Sequence, residues 1–420
     1  MKEKFSLQSL DSKTLADLRI IAEQENIKDI QELNKRDLIF KILEATDKEE
    51  ADISVEGILE IINEGTHGIL RSYTLLPGEN DVYVSASQIK KFNLKQGDYI
   101  NGKARLPKDN ERYLSILKID KINGRDPSLA AKRISFDRLT AIFPSTQIKL
   151  EIDQFRLSNR IIDLLSPIGK GQRGMIVSPP KSGKTTLLKD ISDGITSNHP
   201  EIHLIILLIG ERPEEVTDIR KSTKGEVFAS NFDDQPDNQI KVAEIALDRA
   251  KRLVEEEKDV VILMDSLTRL ARAYNIVVPP SGRTLSGGFD PIALYPPKRF
   301  FGSARNLEEN GSLTIIATAL VDTGSRMDDL VFEEFKGTGN MELHLDRKLS
   351  ERRIYPAIDV VKSGTRHEEK LLSSEILNQS WLVRRMIDTL KNGEGSELLI
   401  ERLKKTKNNE EFLMTLHENV

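Results

Sequence analysis

The chain has 420 residues, 62 basic and 67 acidic side chains, a formal net charge of −5 and no cysteine. Its length allows about three domains. The lack of cysteine excludes disulfides and thiolate-zinc sites, and the acidic balance means that nucleic-acid binding, if present, must rest on local basic loops. No apolar run approaches the roughly 20 residues needed to cross a bilayer. The start, Met1-Lys2-Glu3-Lys4-Phe5, has no apolar secretion core, so a soluble cytoplasmic protein without membrane contact is expected.

Residues 1–48 read as a small helical unit. Leu15, Leu18 and Ile21 fall at helical spacing, and Asn34 with Asp37 forms an N-cap pattern ahead of Leu38, Ile39, Ile42 and Leu43. Asp47-Lys48-Glu49-Glu50 reads as an acidic linker. The period then changes. Over 52–122, alternation in Gly57–Ile61, Asp81–Ser85 and Tyr113–Lys118, punctuated by Gly65, Gly68, Gly97 and Gly102, predicts about five short strands. That suits a small OB-like barrel. Lys90, Lys91, Lys95, Lys103 and Lys108 cluster within it, which charge alone reads as a solvated face. A polar connector interrupted by Pro127 and Pro144 covers 123–150. From 151 to 420 strands alternate with helices. The apolar runs 204–209, 260–264 and 313–320 read as central parallel strands, Gln239–Glu257 as a long helix, and the part from Ser373 onward as amphipathic helix.

The run Ser178-Pro179-Pro180-Lys181-Ser182-Gly183-Lys184-Thr185-Thr186 lies between the strand-like 174–177 and the helix-like 186–191. Strand, Gly-Lys-Thr loop and helix are the context of a phosphate-binding P-loop. Gly183 lets the backbone turn its N–H groups toward phosphate, and the following helix N-terminus favours negative charge. Lys184 reaches the β- and γ-phosphates of ATP, and Thr185 offers a hydroxyl to Mg²⁺. Ser178 stands where a first glycine is usual; a small residue still permits the turn. Two further apolar strands end in acids. Asp265 closes 260–265 and is placed to hold Mg²⁺; Glu211 closes 204–211 and is placed to polarise the attacking water. Either acid alone also fits an ordinary strand-end turn.

Pro167-Ile168-Gly169-Lys170-Gly171-Gln172-Arg173-Gly174 resembles RecA-like ATPases of the rotary-motor and Rho groups. Three further strings separate those groups: Glu211-Arg212-Pro213-Glu214-Glu215-Val216-Thr217, the run Asp265–Asn275 and the run Lys336–Leu345. They resemble the Rho family of bacterial transcription termination factors. The resemblance covers nearly the whole chain. It implies a multidomain protein with a helical unit, an OB-like barrel and a RecA-like α/β ATPase domain. It also implies a homohexamer that hydrolyses ATP with Mg²⁺, translocates along single-stranded nascent RNA and acts on the RNA polymerase elongation complex.

Site residues implied by the resemblance fall in four groups. ATP is bound by Gly169, Lys170, Gly171, Gln172, Arg173, Gly174, Lys181, Ser182, Gly183, Lys184, Thr185, Thr186, Arg212 near the γ-phosphate, and Tyr355 against the adenine. Arg366, which read alone is a surface arginine, matches an arginine finger supplied by a neighbouring subunit. Primary RNA binding falls to Thr66, His67, Gly68, Ile69, Leu70, Arg71, Asp81, Val82, Tyr83, Glu111, Arg112 and Tyr113. The loops Pro280–Gly288, with Arg283, Thr284, Leu285, Ser286, Gly287 and Gly288, and Asp322–Met327, with Arg326, resemble the RNA-gripping loops of the central pore; their composition alone equally fits flexible surface loops.

The chain departs from the family pattern twice. His67 and Ile69 stand where the barrel usually carries stacking phenylalanines, and Gly210 stands where an acid usually precedes Glu211. Two other readings stay open at this point. A rotary ATPase subunit shares the P-loop region, and a catalytically weak RNA-binding ring accords with Gly210 and the missing rings.

Overall fold

Capping side chains start the N-terminal helices where the sequence places them. In this computed structural model, which describes residues 5, 7, 10, 13–28, 30–31, 33–46, 53–108, 111–388 and 394–417, Thr14 and Asp17 form a reciprocal capping box on helix Leu15–Gln24. The Asp37 N–H donates to Asn34 Oδ1 at 2.9 Å, opening helix Lys35–Thr46. The acidic stretch 47–50 lies outside the described residues. Leu18, Leu38, Ile39, Ile42 and Leu43 are buried and share one core with the inner face of the barrel.

The barrel strands are β1 (Ile53–Ile62), β2 (His67–Arg71), β3 (Val82–Ser85), β4 (Tyr99–Arg105) and β5 (Leu114–Ile122). They close in the order β1-β2-β3-β5-β4, with only β3 and β5 parallel. Alternation sets the inner face: Ile53, Val55, Val82, Val84, Leu114 and Ile116 point into the core. Helix Ala86–Phe92, capped by Ser85 and Gln88, lies between β3 and β4. The OB-like expectation holds.

The larger sheet contains β6 (Ala141–Ile142), β7 (Arg173–Ser178), β8 (His203–Glu211), β9 (Glu226–Asn231), β10 (Asp259–Asp265), β11 (Arg305–Leu307), β12 (Ser312–Leu320), β13 (Met341–His344) and β14 (Gly364–Thr365). Its order is β14-β13-β7-β12-β10-β8-β9. The six strands from β13 to β9 run parallel, while β14 is antiparallel to β13. The centre of β8, β10 and β12 is continuously apolar, and successive residues are buried, so both faces of the sheet are covered there.

The chain forms two compact units with a boundary between Ser135 and Phe136, inside the stretch read as a connector, and with the assignment of Ile245–Arg252 to the first unit. That assignment has a visible cause: Gln96 Nε2 donates to Asp248 Oδ2 at 2.9 Å, and Arg249 Nη1 to Asn123 Oδ1 at 2.9 Å. Hydropathy along helix Pro236–Val254 carries no sign of it.

Asp163, in helix Leu157–Leu165, accepts the backbone N–H groups of Leu150 and Glu151 at 3.0 and 2.8 Å. Burial nevertheless pushes its carboxyl from 3.8 up to about 7. A raised folded-state pKa means that the folded chain holds an extra proton between those values. Stability from this group is full below pH 3.8 and is lost as pH rises through about 7. Asp163→Asn is expected to flatten that slope, seen as equal urea midpoints at pH 5 and pH 8 where the parent's differ.

Candidate ATP site and nucleic-acid interface

The P-loop follows β7 at the carboxyl end of the parallel strands. Gly183 adopts φ +92°, a left-handed conformation natural to glycine, and directly precedes helix Lys184–Asn198. Ser178 is buried, with its hydroxyl 2.9 Å from that of Ser182, which in turn donates to the Pro179 carbonyl at 2.8 Å. Serine in place of the usual first glycine therefore ties the loop shut. Lys181 and Thr186 are exposed, and Thr185 is half-buried at the helix start.

Lys184 Nζ bridges two buried carboxylates, Asp265 Oδ1 at 2.6 Å and Glu211 Oε1 at 3.2 Å. Burial depresses the Lys184 ammonium, but the charges of Asp265 and Glu211 outweigh it and the net shift is upward. Glu211 is raised by burial and by Asp265, against the pull of Lys184 and Arg269. Thr318 donates to Asp265 Oδ1 at 2.8 Å. Arg212 is exposed at the start of helix Pro213–Ser222. The Tyr355 ring lies beside the P-loop, 3.5 Å from where a Cβ on Gly183 would stand. Phosphate cradle, acids, cation and aromatic therefore share one end of the sheet. They can hold a nucleoside triphosphate and an oxygen-seeking metal ion.

The run Gly169–Gly174 is separated from this group. It lies at and before the amino end of β7, a six-residue strand that spans roughly 17 Å from Arg173 to Ser178, where the P-loop begins. Lys170 pairs with Asp259 at 2.6 Å, Gln172 donates to Asn340 Oδ1 at 2.7 Å, and Arg173 to the Thr338 and Ala304 carbonyls at 3.0 and 3.1 Å. Gly169 and Gly171 pack where a side chain would strike Leu371 and Asn306, and Gly174 faces Ile316. Within one chain these residues lie apart from the group formed by Lys184, Asp265 and Glu211. Arg366 is at the same amino end, its N–H donating to the Asn340 carbonyl at 2.8 Å. A cavity of about 330 Å³ there is lined by Gly171, Arg173, Arg305, Asn340, Arg366 and His367 among others, and by no carboxylate. Arg305 joins this cavity although no local sequence pattern marks it.

On the barrel, His67 stacks on Tyr83 with centroids 5.6 Å apart and planes 22° apart. Thr66 is exposed beside it, its hydroxyl 3.1 Å from His67 Nδ1. Gly68, Ile69, Leu70, Asp81 and Val82 are buried in the barrel wall, so their side chains are not a contact surface. Arg71, expected at the primary RNA surface, is buried between Glu60, at 2.5 Å, and Asp81. Its charge is spent inside the protein. Burial raises the Asp81 carboxyl, opposed by the Gly78 N–H and Arg71.

The reachable groups surround a cavity of about 570 Å³ lined by Tyr83, Glu111, Arg112 and Tyr113, together with Ser85, Ser87, Gln88 and Arg105, which the sequence did not single out. Arg105 forks onto both oxygens of Glu111 at 2.7 and 2.8 Å, holding that carboxyl at about 2. The Arg112 guanidinium covers the Tyr113 ring at 5.2 Å.

The two candidate pore loops meet. Gly287, at φ +72°, packs where a Cβ would lie 2.5 Å from the Met327 nitrogen. Arg283, Thr284, Leu285, Ser286, Gly288 and Arg326 are exposed on them. The second loop is tied to helix Leu267–Val277 by Arg272, which meets Asp328 at 2.6 Å and Ser325 Oγ at 2.9 Å.

Comparison with known proteins decides the family. The Rho termination factor RNA-binding domain matches residues 55–128, and the Rho termination factor N-terminal domain matches 9–50. The chain is 54% identical to the transcription termination factor Rho of Bacillus subtilis, covering 98% of this chain and 96% of that one. The chain belongs to the Rho family. It is likewise 55% identical to Rho of Thermotoga maritima, over 98% and 97% of the two chains. Residues 158–365 match the nucleotide-binding domain of the ATP synthase alpha/beta family. This Rho-family chain also resembles a type III secretion system ATPase at 26% identity and TM-score 0.54, covering 62% of this chain and 82% of that one. EscN, from the corresponding system of enteropathogenic E. coli, matches at 25% and 0.53, over 71% and 68%. The RecA-like expectation holds, and the larger unit is an ATPase domain. A rotary-type subunit accounts for that domain alone; the two Rho domains before it set the chain apart.

Proposed function

We propose that this chain is an RNA-dependent ATPase that terminates transcription. It binds single-stranded nascent RNA, translocates along it with helicase activity and releases it from the RNA polymerase elongation complex. The observation that carries the reading is the union, in one chain, of Rho RNA-binding and N-terminal domains with an ATPase domain. ATP turnover measured with and without poly(C) and poly(U) tests it. Equal turnover in all conditions would reject RNA dependence and favour a constitutive ATPase.

The separation of Arg366 from the P-loop residues supports an active site shared between copies. Lys184, Thr185, Asp265 and Glu211 stand at one end of the sheet and Arg366 at the other, with the strand β7 between. A head-to-tail ring, here a homohexamer, brings the amino end of one copy to the P-loop of the next. Lys184 would leave the two carboxylates for the β- and γ-phosphates. The Glu211 carboxylate would orient water, Arg212 would contact the γ-phosphate, and Tyr355 would pack on the adenine. Thr185 and Asp265 are oxygen donors suited to Mg²⁺, which would neutralise phosphate charge when bound. Arg173 and the Gly169–Gly174 run would take part only from the neighbouring copy. Glu211→Gln is expected to retain ATP binding and lose roughly 10²–10⁴-fold in turnover; parent-like turnover would remove Glu211 from this role.

In the barrel, the His67–Tyr83 stack and the cavity with Arg112 and Tyr113 would receive bases, and the two pore loops would grip backbone phosphates and 2′-hydroxyls. His67→Phe is expected to tighten oligo(C) binding by about 1–3 kcal/mol, whereas Ile69→Phe, at a position only 3% exposed, is expected to add nothing. Fluorescence anisotropy with labelled oligo(C) separates them. Tightening by Ile69→Phe and not by His67→Phe would reverse the assignment.

A further inference from the structure

Gly210 breaks the regular pairing of β8. The register with β9 shifts between Ile209 and Glu211, and Gly210 takes φ +67°, so the strand bulges one residue before the catalytic carboxylate. The space beside it is filled. A Cβ at position 210 would stand 3.2 Å from Cδ and 3.5 Å from Nη1 of Arg269. From there the guanidinium continues to Glu211, with Nη2 3.5 Å from Oε1.

Local structure gives no reason for an arginine at 269. The residue lies in the first turn of helix Leu267–Val277, where its N–H donates to the Ser266 cap at 3.3 Å. A cation in a first turn opposes the helix dipole. Arg272, one turn later, is engaged with Asp328 and Ser325 instead. The charges facing Glu211 are Lys184 from the P-loop helix, Asp265 from the end of β10, Glu215 from helix Pro213–Ser222, and Arg269. Two anions thus oppose the charge of Glu211. Of the two cations, Lys184 is the one that phosphate would draw away.

We propose that Arg269 is a positioning residue for Glu211: lying across the bare backbone of Gly210, it orients the carboxylate and offsets repulsion from Asp265 once Lys184 engages phosphate. The proposal rests on Glu211 as the water-orienting group. It explains the glycine, because an acid at 210 would stand beside the same guanidinium and compete for it.

The test is the pH profile of kcat for the full chain, at saturating ATP and poly(C), in the parent and in Arg269→Ala, Arg269→Lys, Gly210→Asn and Gly210→Asp. Asparagine and aspartate both tolerate positive φ better than most side chains, so the pair differs mainly in charge. Arg269→Ala is expected to move the acidic limb up by about half to one pH unit, since Glu211 would then protonate more easily. Arg269→Lys should restore part of the shift. Gly210→Asp should move the limb upward and Gly210→Asn should not. In an Arg269→Ala background, Gly210→Asp should add less than it does alone. A uniform loss of kcat with an unmoved limb in Arg269→Ala would mean a structural role and overturn the proposal, as would identical profiles for Gly210→Asp and Gly210→Asn. Parent-like turnover in Glu211→Gln would reject the Glu211 assignment itself, and this proposal with it. Loss of RNA stimulation with Glu211 still essential would reject only RNA dependence.

Discussion

Arg366→Ala is expected to lower RNA-stimulated ATP turnover by roughly 10³–10⁵-fold, the usual scale of an arginine finger, while leaving ATP binding largely intact. Geometry supplies the reason. Arg366 follows β14, which runs antiparallel to β13, and its backbone is bonded to Asn340 at the amino end of the sheet. The P-loop of the same chain lies at the other end, beyond the six residues of β7. If Arg366 serves phosphate, as proposed, it does so in a second copy. Nucleotide binding by fluorescent ATP analogue and turnover should separate cleanly in this variant. Mixing Arg366→Ala with Lys184→Ala chains is expected to restore some turnover, because a fraction of interfaces then carries both groups intact. Parent-like RNA-stimulated turnover in Arg366→Ala would end the finger assignment and return Arg366 to an ordinary surface residue.

Arg160→Ala is expected to destabilise the larger unit by about 3–5 kcal/mol, the scale of breaking a buried charged network. Arg160 is fully buried in helix Leu157–Leu165. It makes five hydrogen bonds: to Asn409 Oδ1 at 3.1 Å, the Leu403 and Thr406 carbonyls at 2.8 and 2.9 Å, Thr406 Oγ1 at 2.8 Å and the Asn408 carbonyl at 2.7 Å. Glu151 lies 3.3 Å from its Nε. These acceptors form the turn between helices Glu394–Lys404 and Asn409–His417, where helix-end carbonyls otherwise lack donors. Removing the guanidinium strands them in an apolar setting. Hydrogen exchange in 394–417 should rise sharply. Arg160→Lys should not rescue it, because one ammonium cannot replace a planar fork. Unchanged exchange in both variants would show that the C-terminal helices are held by their apolar contacts alone.

Local sequence signals determined much of this protein. Helix caps at Asn34 and Ser266, alternating strands in the barrel, unbroken apolar strands ending in Glu211 and Asp265, and the glycine-lysine turn after β7 all act through neighbours within a few residues. Such short-range rules are written into the chain. What depended on pairing distant segments was decided only by tertiary structure. Arg71 reads as a surface cation until β1 and the segment before β3 bring Glu60 and Asp81 to either side of it. Ile69 reads as an exposed substitute for a ring, but the closing barrel buries it. Gly169–Arg173 and the P-loop are neighbours in sequence, yet an extended strand carries them to opposite ends of the sheet, since each residue adds about 3.3 Å. Gly210 and Arg269 lie far apart along the chain, and only the bulge in β8 and the first turn of the helix after β10 set one against the other. Packing between remote residues depends on register, closure and burial, and no local pattern encodes those three.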